Sequence, residues 1–207
     1  MVAFLAQHGL ELIVKTWQQI YIATISLSLG IIVAIPLSVF LLKIPQIAKI
    51  IISITSILQT IPALALLAMM IPLFGVGRLP AIIALFLYSL MPILRNTYVG
   101  LTNVDTNIID SARGLGMTKI QLITKVRLPL AMPVIMAGIR LAAIYIIAWA
   151  TLASYIGAGG LGDFIFSGLS LYQPDLILGG TLPVIALALL TDFLLSLLEK
   201  KIIPKGM

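Results

Sequence analysis

Gly157, Gly159 and Gly162 stand at the G-x-G-x-x-G spacing that seats a dinucleotide pyrophosphate at the start of a helix. That chemistry needs a preceding strand inside a βαβ unit, whereas these glycines follow a long apolar run that reads as a helix. The better reading of Tyr155 to Gly162, Gly160 included, is a tight turn or re-entrant segment in which glycine lets backbones approach closely. No other catalytic spacing occurs. His8 is the single histidine, cysteine is absent, and neither H-E-x-x-H, G-x-S-x-G nor the phosphate loop G-x-x-x-x-G-K-[ST] is present. The chain therefore predicts no catalytic residue, no metal site and no cofactor of its own.

Two further groups of side chains attract chemistry. Arg140 and Asp192 lie inside long apolar runs, where an ionised group is costly unless it faces protein or water and has a partner. They are read as a pair, the alternative being that Arg140 snorkels while Asp192 faces a wet vestibule. Tyr145 and Trp149 lie one helical turn apart, with Tyr155 beyond and Tyr88 on an earlier run. Aromatic faces hold a quaternary ammonium by cation–π attraction, worth about 2 kcal/mol when desolvated. Trp149 and Tyr155 also fit an interfacial aromatic belt.

The elements that must carry these residues follow from composition. Of 207 residues 61% are hydrophobic and 10% charged, against roughly 25% charged in a soluble domain. Uncharged stretches run from Lys15 to Lys43, Lys49 to Arg78 and Arg140 to Asp163, each long enough for a span of about 20 residues. The net charge of +6 does not signal nucleic acid, because the basic residues sit at the ends of apolar runs. Met1 to Glu11 lacks the positive start of a secretory signal and reads as mature sequence leading into a first span.

Spans are expected at 18–42, 50–72, 79–95, 129–153 and 176–198, giving one all-α transmembrane unit over residues 1–207. An odd number of spans puts the termini on opposite sides. One arrangement gathers Lys43 and Lys49, the five basic residues from Arg95 to Arg127, and Lys200, Lys201 and Lys205 on one side, leaving Lys15 and Arg78 on the other. The richer side is cytoplasmic, so the N-terminus is expected outside and the C-terminus inside a cell membrane. The run 79–95 is short, and snorkelling by Arg78 and Arg95 would complete it. Prolines at 36, 62, 92, 133 and 183 predict kinks, which suit either a moving bundle or an irregular static one.

The cytoplasmic segment 103–128 is polar yet keeps Ile108, Ile109, Ala112 and Leu115, then Ile120, Ile123 and Val126, at helical spacing. Two short amphipathic helices are expected, parted by Gly114 and Gly116, the second opened by a Thr118–Gln121 capping box. Such a hairpin lies on lipid or presents a face to a partner protein.

Asp110, Ser111 and Ala112, then Gly116, then Val126, Leu128 and Pro129 resemble the cytoplasmic motif of ABC importer permeases. That motif begins Glu-Ala-Ala, places Gly four residues after the second Ala, and ends Ile-x-Leu-Pro; here Asp and Ser replace its first two residues. The resemblance implies a coupling helix that docks on a separate ATPase subunit through Asp110, Ser111, Ala112, Arg113, Gly114 and Gly116, with Leu128 and Pro129 closing the motif. It further implies a second permease, identical or paralogous, and an extracytoplasmic substrate-binding protein in a bacterial plasma membrane. ATP and Mg would be used by the partner ATPase. Gln59 to Ala63, Pro72 to Gly77, Leu90 to Thr97, Ser111 to Met117 and Tyr155 to Gly162 together resemble the osmoprotectant branch, which carries glycine betaine, carnitine and choline. Tyr88, Tyr145, Trp149, Tyr155, Gly157, Gly159 and Gly160 are its candidate pathway residues. Permeases for methionine or phosphonate, and a secondary transporter, remain the alternatives. The latter would be expected to show internal repeats, and none is evident.

Overall fold

The computed structural model describes residues 2–202, with side chains from Gln7 onward. Among these residues every regular element is helical. The helices are α1 (Val2–Leu41), α2 (Pro45–Thr60), α3 (Ala63–Phe74), α4 (Arg78–Thr102), α5 (Thr106–Gly114), α6 (Lys119–Gln121), α7 (Leu128–Ala153), α8 (Gly162–Leu171) and α9 (Pro174–Ile202). Lys205, one of the basic residues counted above, lies outside the described residues.

Side-chain bonds fix how the helices run. Ser26 donates to the Ile82 carbonyl at 3.2 Å and Ser38 to the Leu94 carbonyl at 3.1 Å, a constant offset that makes α1 and α4 parallel. Against α4, α7 is antiparallel: Gly138 faces Pro92 and Asn96, and Gly100 faces Ala131 and Val134. A Cβ on Gly138 would lie 2.8 Å from the Pro92 carbonyl oxygen, so the small residue is what allows the two helices to meet. α9 then returns antiparallel to α7, joined by Arg140. The buried core along these helices contains Ile22, Leu85, Tyr88 and Ile146 near one end, and Ile93, Leu94, Leu101 and Ile135 near the other.

This geometry corrects the expected span over 50–72. The segment is two helices, α2 and α3, bent by 99°. Ile61 and Pro62 are extended, with ψ of 128° and 135°, because proline disfavours helix in the residue before it. Since α1 and α4 are parallel, the chain must return from the end of α1 to the start of α4, and the bent pair makes that return. Among the described residues four helices are long and apolar enough to cross a membrane, and five if the bent pair is one broken span.

Other boundaries move as well. The third span is the 25 residues of α4, about 37 Å at 1.5 Å per residue, so it needs no help from snorkelling. α1 begins well before residue 18 because its early polar residues find partners in the bundle, as described below. The second short helix of the 103–128 segment is not separate: α6 passes through a wide turn at Leu122–Arg127 directly into α7. Pro129 has no N–H to bond the carbonyl four residues back, and the widened turn instead bonds Leu128 N–H to the Ile123 carbonyl. Beyond α7, the helix α8 was not anticipated.

Candidate functional site

At the end of the bundle where α4 finishes, Asp105 caps α5 by accepting from Asn107 N–H at 2.8 Å. The helix ends on a Schellman turn, with Gly116 N–H bonding the Arg113 carbonyl at 2.9 Å and Met117 N–H the Ala112 carbonyl at 3.2 Å. Gly116 has φ +79°, the left-handed conformation that favours glycine. Gly114 has no such requirement. Thr118 and Gln121 then form the reciprocal capping pair, at 2.9 and 3.3 Å.

One face of α5 is spent on the chain's own core: Ile109 and Ala112 pack with Val104 and Leu122. Of the motif residues, then, Ala112 is buried, and Leu128 and Pro129 are half-buried at the start of α7. Asp110, Ser111, Arg113, Gly114 and Gly116 are exposed, and Asp110 pairs with Arg113 at 3.1 Å. Beside them Leu115 is 81% and Ile120 75% exposed. The result is an outward patch of apolar side chains among charges, held on a helical hairpin.

At the opposite end, Gly157, Gly159 and Gly160 all have positive φ and form a turn leading into α8. It is fastened by two residues that the sequence did not single out. Gly160 N–H donates to Gln18 Oε1 at 3.0 Å and Leu161 N–H to Gln19 Oε1 at 3.2 Å, while Gln19 Nε2 donates to the Ile147 carbonyl at 2.9 Å. Gln19 is fully buried. A Cβ on Gly160 would stand 2.5 Å from Gln19 Oε1, so this glycine is required by contact as well as by conformation. Lys15 pairs with Asp163 just beyond, and Gly77 N–H bonds the Ile156 carbonyl at 2.9 Å. An amide pair inside an otherwise apolar run was the available signal.

Between the two ends lies the bend of α2 and α3. Pro92 has no N–H for the Tyr88 carbonyl, four residues back; Gln59 Nε2 supplies the bond at 3.3 Å. The Tyr88 hydroxyl in turn donates to the Ile61 carbonyl at the bend, at 2.5 Å. Gln59 and Ile61 are thus locked to Tyr88 in one joint, two residues before the Leu90–Thr97 signature. The Tyr88 ring lies 4.5 Å from that of Trp149, and Tyr145 stacks on Trp149 at 5.2 Å and 26°. Tyr155 stands apart, 71% exposed and beside Phe166.

The structure brings Arg140 and Asp192 together in a two-pronged contact, Nε to Oδ1 at 2.9 Å and Nη2 to Oδ2 at 3.1 Å. A third member was not foreseen: Arg140 Nη1 donates to Glu199 Oε2 at 2.9 Å. Glu199 is two helical turns beyond Asp192, on the same face of α9. Among the described residues, no group of three or more His, Cys, Asp or Glu side chains has a geometry suited to a metal ion.

The family described as binding-protein-dependent transport system inner membrane component matches residues 26–204. A carnitine transport permease protein of Listeria monocytogenes is 57% identical over all of this chain and 94% of its own length. Two permeases of Bacillus subtilis, one of a glycine betaine/carnitine/choline transport system and one of a choline transport system, are 53% and 54% identical over all of this chain and 95% of their lengths. Among solved structures, a chain of the MetNI methionine ABC transporter superposes with a TM-score of 0.85 over 93% of this chain and 96% of its own, at 22% identity.

Proposed function

Because this chain belongs to the family of binding-protein-dependent transport system inner membrane components, we propose that it is the permease of an ATP-driven importer of quaternary-amine osmoprotectants such as glycine betaine, carnitine or choline. The observation that carries the solute assignment is the likeness along the whole chain to permeases bearing those names. The Tyr145 ring, 39% exposed and backed by Trp149 and then Tyr88 where the bent pair meets α4 and α7, supplies a face that attracts such a cation.

The work arrives from outside the chain. A separate ATPase, using ATP and Mg, seats the exposed patch of α5 in its cleft, and its closure tilts α5. α6 and α7 are one continuous helical path, so the tilt passes to the bundle as a rigid-body switch. The end that carries α5 faces the cytoplasm, and the glycine turn faces outward toward an extracytoplasmic binding protein that selects the solute. A second permease, identical or paralogous, completes the pathway.

The test is ATP-dependent uptake by the reconstituted complex with its binding protein. Competition by glycine betaine, carnitine or choline, and none by methionine, is expected. Competition by methionine alone would keep the family and overturn the solute.

A further inference from the structure

Next to the joint, α2, α4 and α7 line an open cavity of about 480 Å³, bordered in part by Gln59, Met91, Arg95, Asn96, Leu141 and Tyr145. This is the size range of small-molecule sites, roughly 300–1,000 Å³. Its polar groups are unevenly signed. Arg95 brings a full positive charge, no carboxylate lines the cavity, and among the described residues Arg95 has no hydrogen bond or ion pair. It stands seven residues inside the end of α4 at Thr102, about 10 Å along the axis. Arg95 is exposed, so its guanidinium is open to water or to an anionic ligand. Arg140, on the neighbouring helix, shows the contrast: it is satisfied by two carboxylates.

The other wall is aromatic. Tyr145 is 39% exposed while its ring is stacked on Trp149, so the ring is held before any ligand arrives. Asn96 is fixed by its Nδ2 bond to the Pro92 carbonyl at 2.8 Å, and Gln59 by its bond to Tyr88. The walls are therefore pre-organised, which lowers the cost of binding.

We propose that this cavity is a transient site for a zwitterion, in which Arg95 takes a carboxylate and the Tyr145 face takes a quaternary ammonium. The proposal rests on the solute reading above and sharpens it. A betaine offers both charges and satisfies both walls. Choline offers only the cation, gains the aromatic face, and is opposed by Arg95. The cavity thus discriminates by carboxylate, independently of the binding protein. Arg95 takes a carboxylate with a two-pronged donor set that lysine cannot reproduce.

The experiment uses the permease–ATPase complex in lipid nanodiscs without binding protein, titrated separately with glycine betaine and choline at millimolar concentration by saturation-transfer NMR. Arg95→Gln is expected to weaken glycine betaine at least tenfold and to leave choline unchanged or tighter; Arg95→Lys should weaken betaine by less. Tyr145→Leu should weaken both solutes. Retained ATPase assembly, read by size exclusion, shows that each variant is folded. No binding to the wild-type complex, equal losses for both solutes in Arg95→Gln, or no loss for either solute in Tyr145→Leu would overturn the proposal. The other anion within reach is a lipid phosphate: an Arg95→Gln effect that appears only in anionic-lipid nanodiscs and vanishes in neutral ones would also overturn it. Failure of the wild-type complex, with its binding protein, to import any quaternary amine would instead overturn the solute reading.

Discussion

Replacing Gln19 by Leu removes, at nearly constant volume, the acceptor for Leu161 N–H and the donor to the Ile147 carbonyl. Ile147 lies within α7, so its carbonyl keeps a helical partner and the loss there is small. Leu161 is fully buried, so its N–H is left without partner or water, at a cost of about 1–3 kcal/mol. At 1.4 kcal/mol per factor of ten, that range corresponds to a roughly 5- to 150-fold increase in opening of the turn. Hydrogen exchange followed by mass spectrometry, in lipid nanodiscs, reads this on peptides covering 158–163. Gln18→Leu should act in the same direction but less strongly, because Gln18 is only partly buried. The double variant should exceed either alone, and peptides from α5 should be unaffected. Unchanged exchange over 158–163 in Gln19→Leu would refute the assignment of these amides as fastenings of the turn.

Three further outcomes follow from contacts elsewhere in the bundle. Tyr88→Phe leaves the Ile61 carbonyl without its hydroxyl donor and keeps the ring on Trp149; the complex should lose thermal stability, and a spin-label distance across the α2–α3 bend should broaden, whereas a Tyr88→Phe protein as stable as wild type would show that the joint is held otherwise. For the Arg140 cluster, exchanging Arg140 and Asp192 should not fully restore function, because Glu199 would then face a new aspartate. Replacing all three by leucine should be tolerated better in assembly assays than Arg140→Leu alone, and the opposite order would exclude a shared network.

Much of this was legible because the bilayer imposes regular constraints. Apolar length and the position of basic residues gave α7 and α9 to within a few residues, and Thr118 with Gln121 announced their own cap. The bend at Ile61–Pro62 was not legible as a bend, since Pro62 sits in an uncharged run long enough to span and proline is tolerated inside many spanning helices. What distinguishes it is a partner distant in sequence, Tyr88, whose hydroxyl holds the broken carbonyl. The early start of α1 was missed for a similar reason: Lys15, Gln18 and Gln19 look like solvent residues until Asp163, Gly160 and Leu161 are placed beside them. Within the segment Asp110 to Gly116, residue types alone could not show which positions face outward; the packing of Ile109 and Ala112 on Leu122 decides that.

The most direct test of the central claim is the effect of Gly116→Arg on ATP-dependent glycine betaine uptake by the reconstituted complex. The φ of +79° strains any side chain there by about 1–2 kcal/mol, and no atom lies within 4 Å of the position a Cβ would take, so the bundle itself has room for the arginine. Insertion into the membrane should be normal, while ATPase association or hydrolysis-linked uptake should fail; Lys119→Gln, an exposed neighbour, should change little. Wild-type rates of ATP-driven uptake by the Gly116→Arg protein would contradict the claim that α5 is where the ATPase engages this permease.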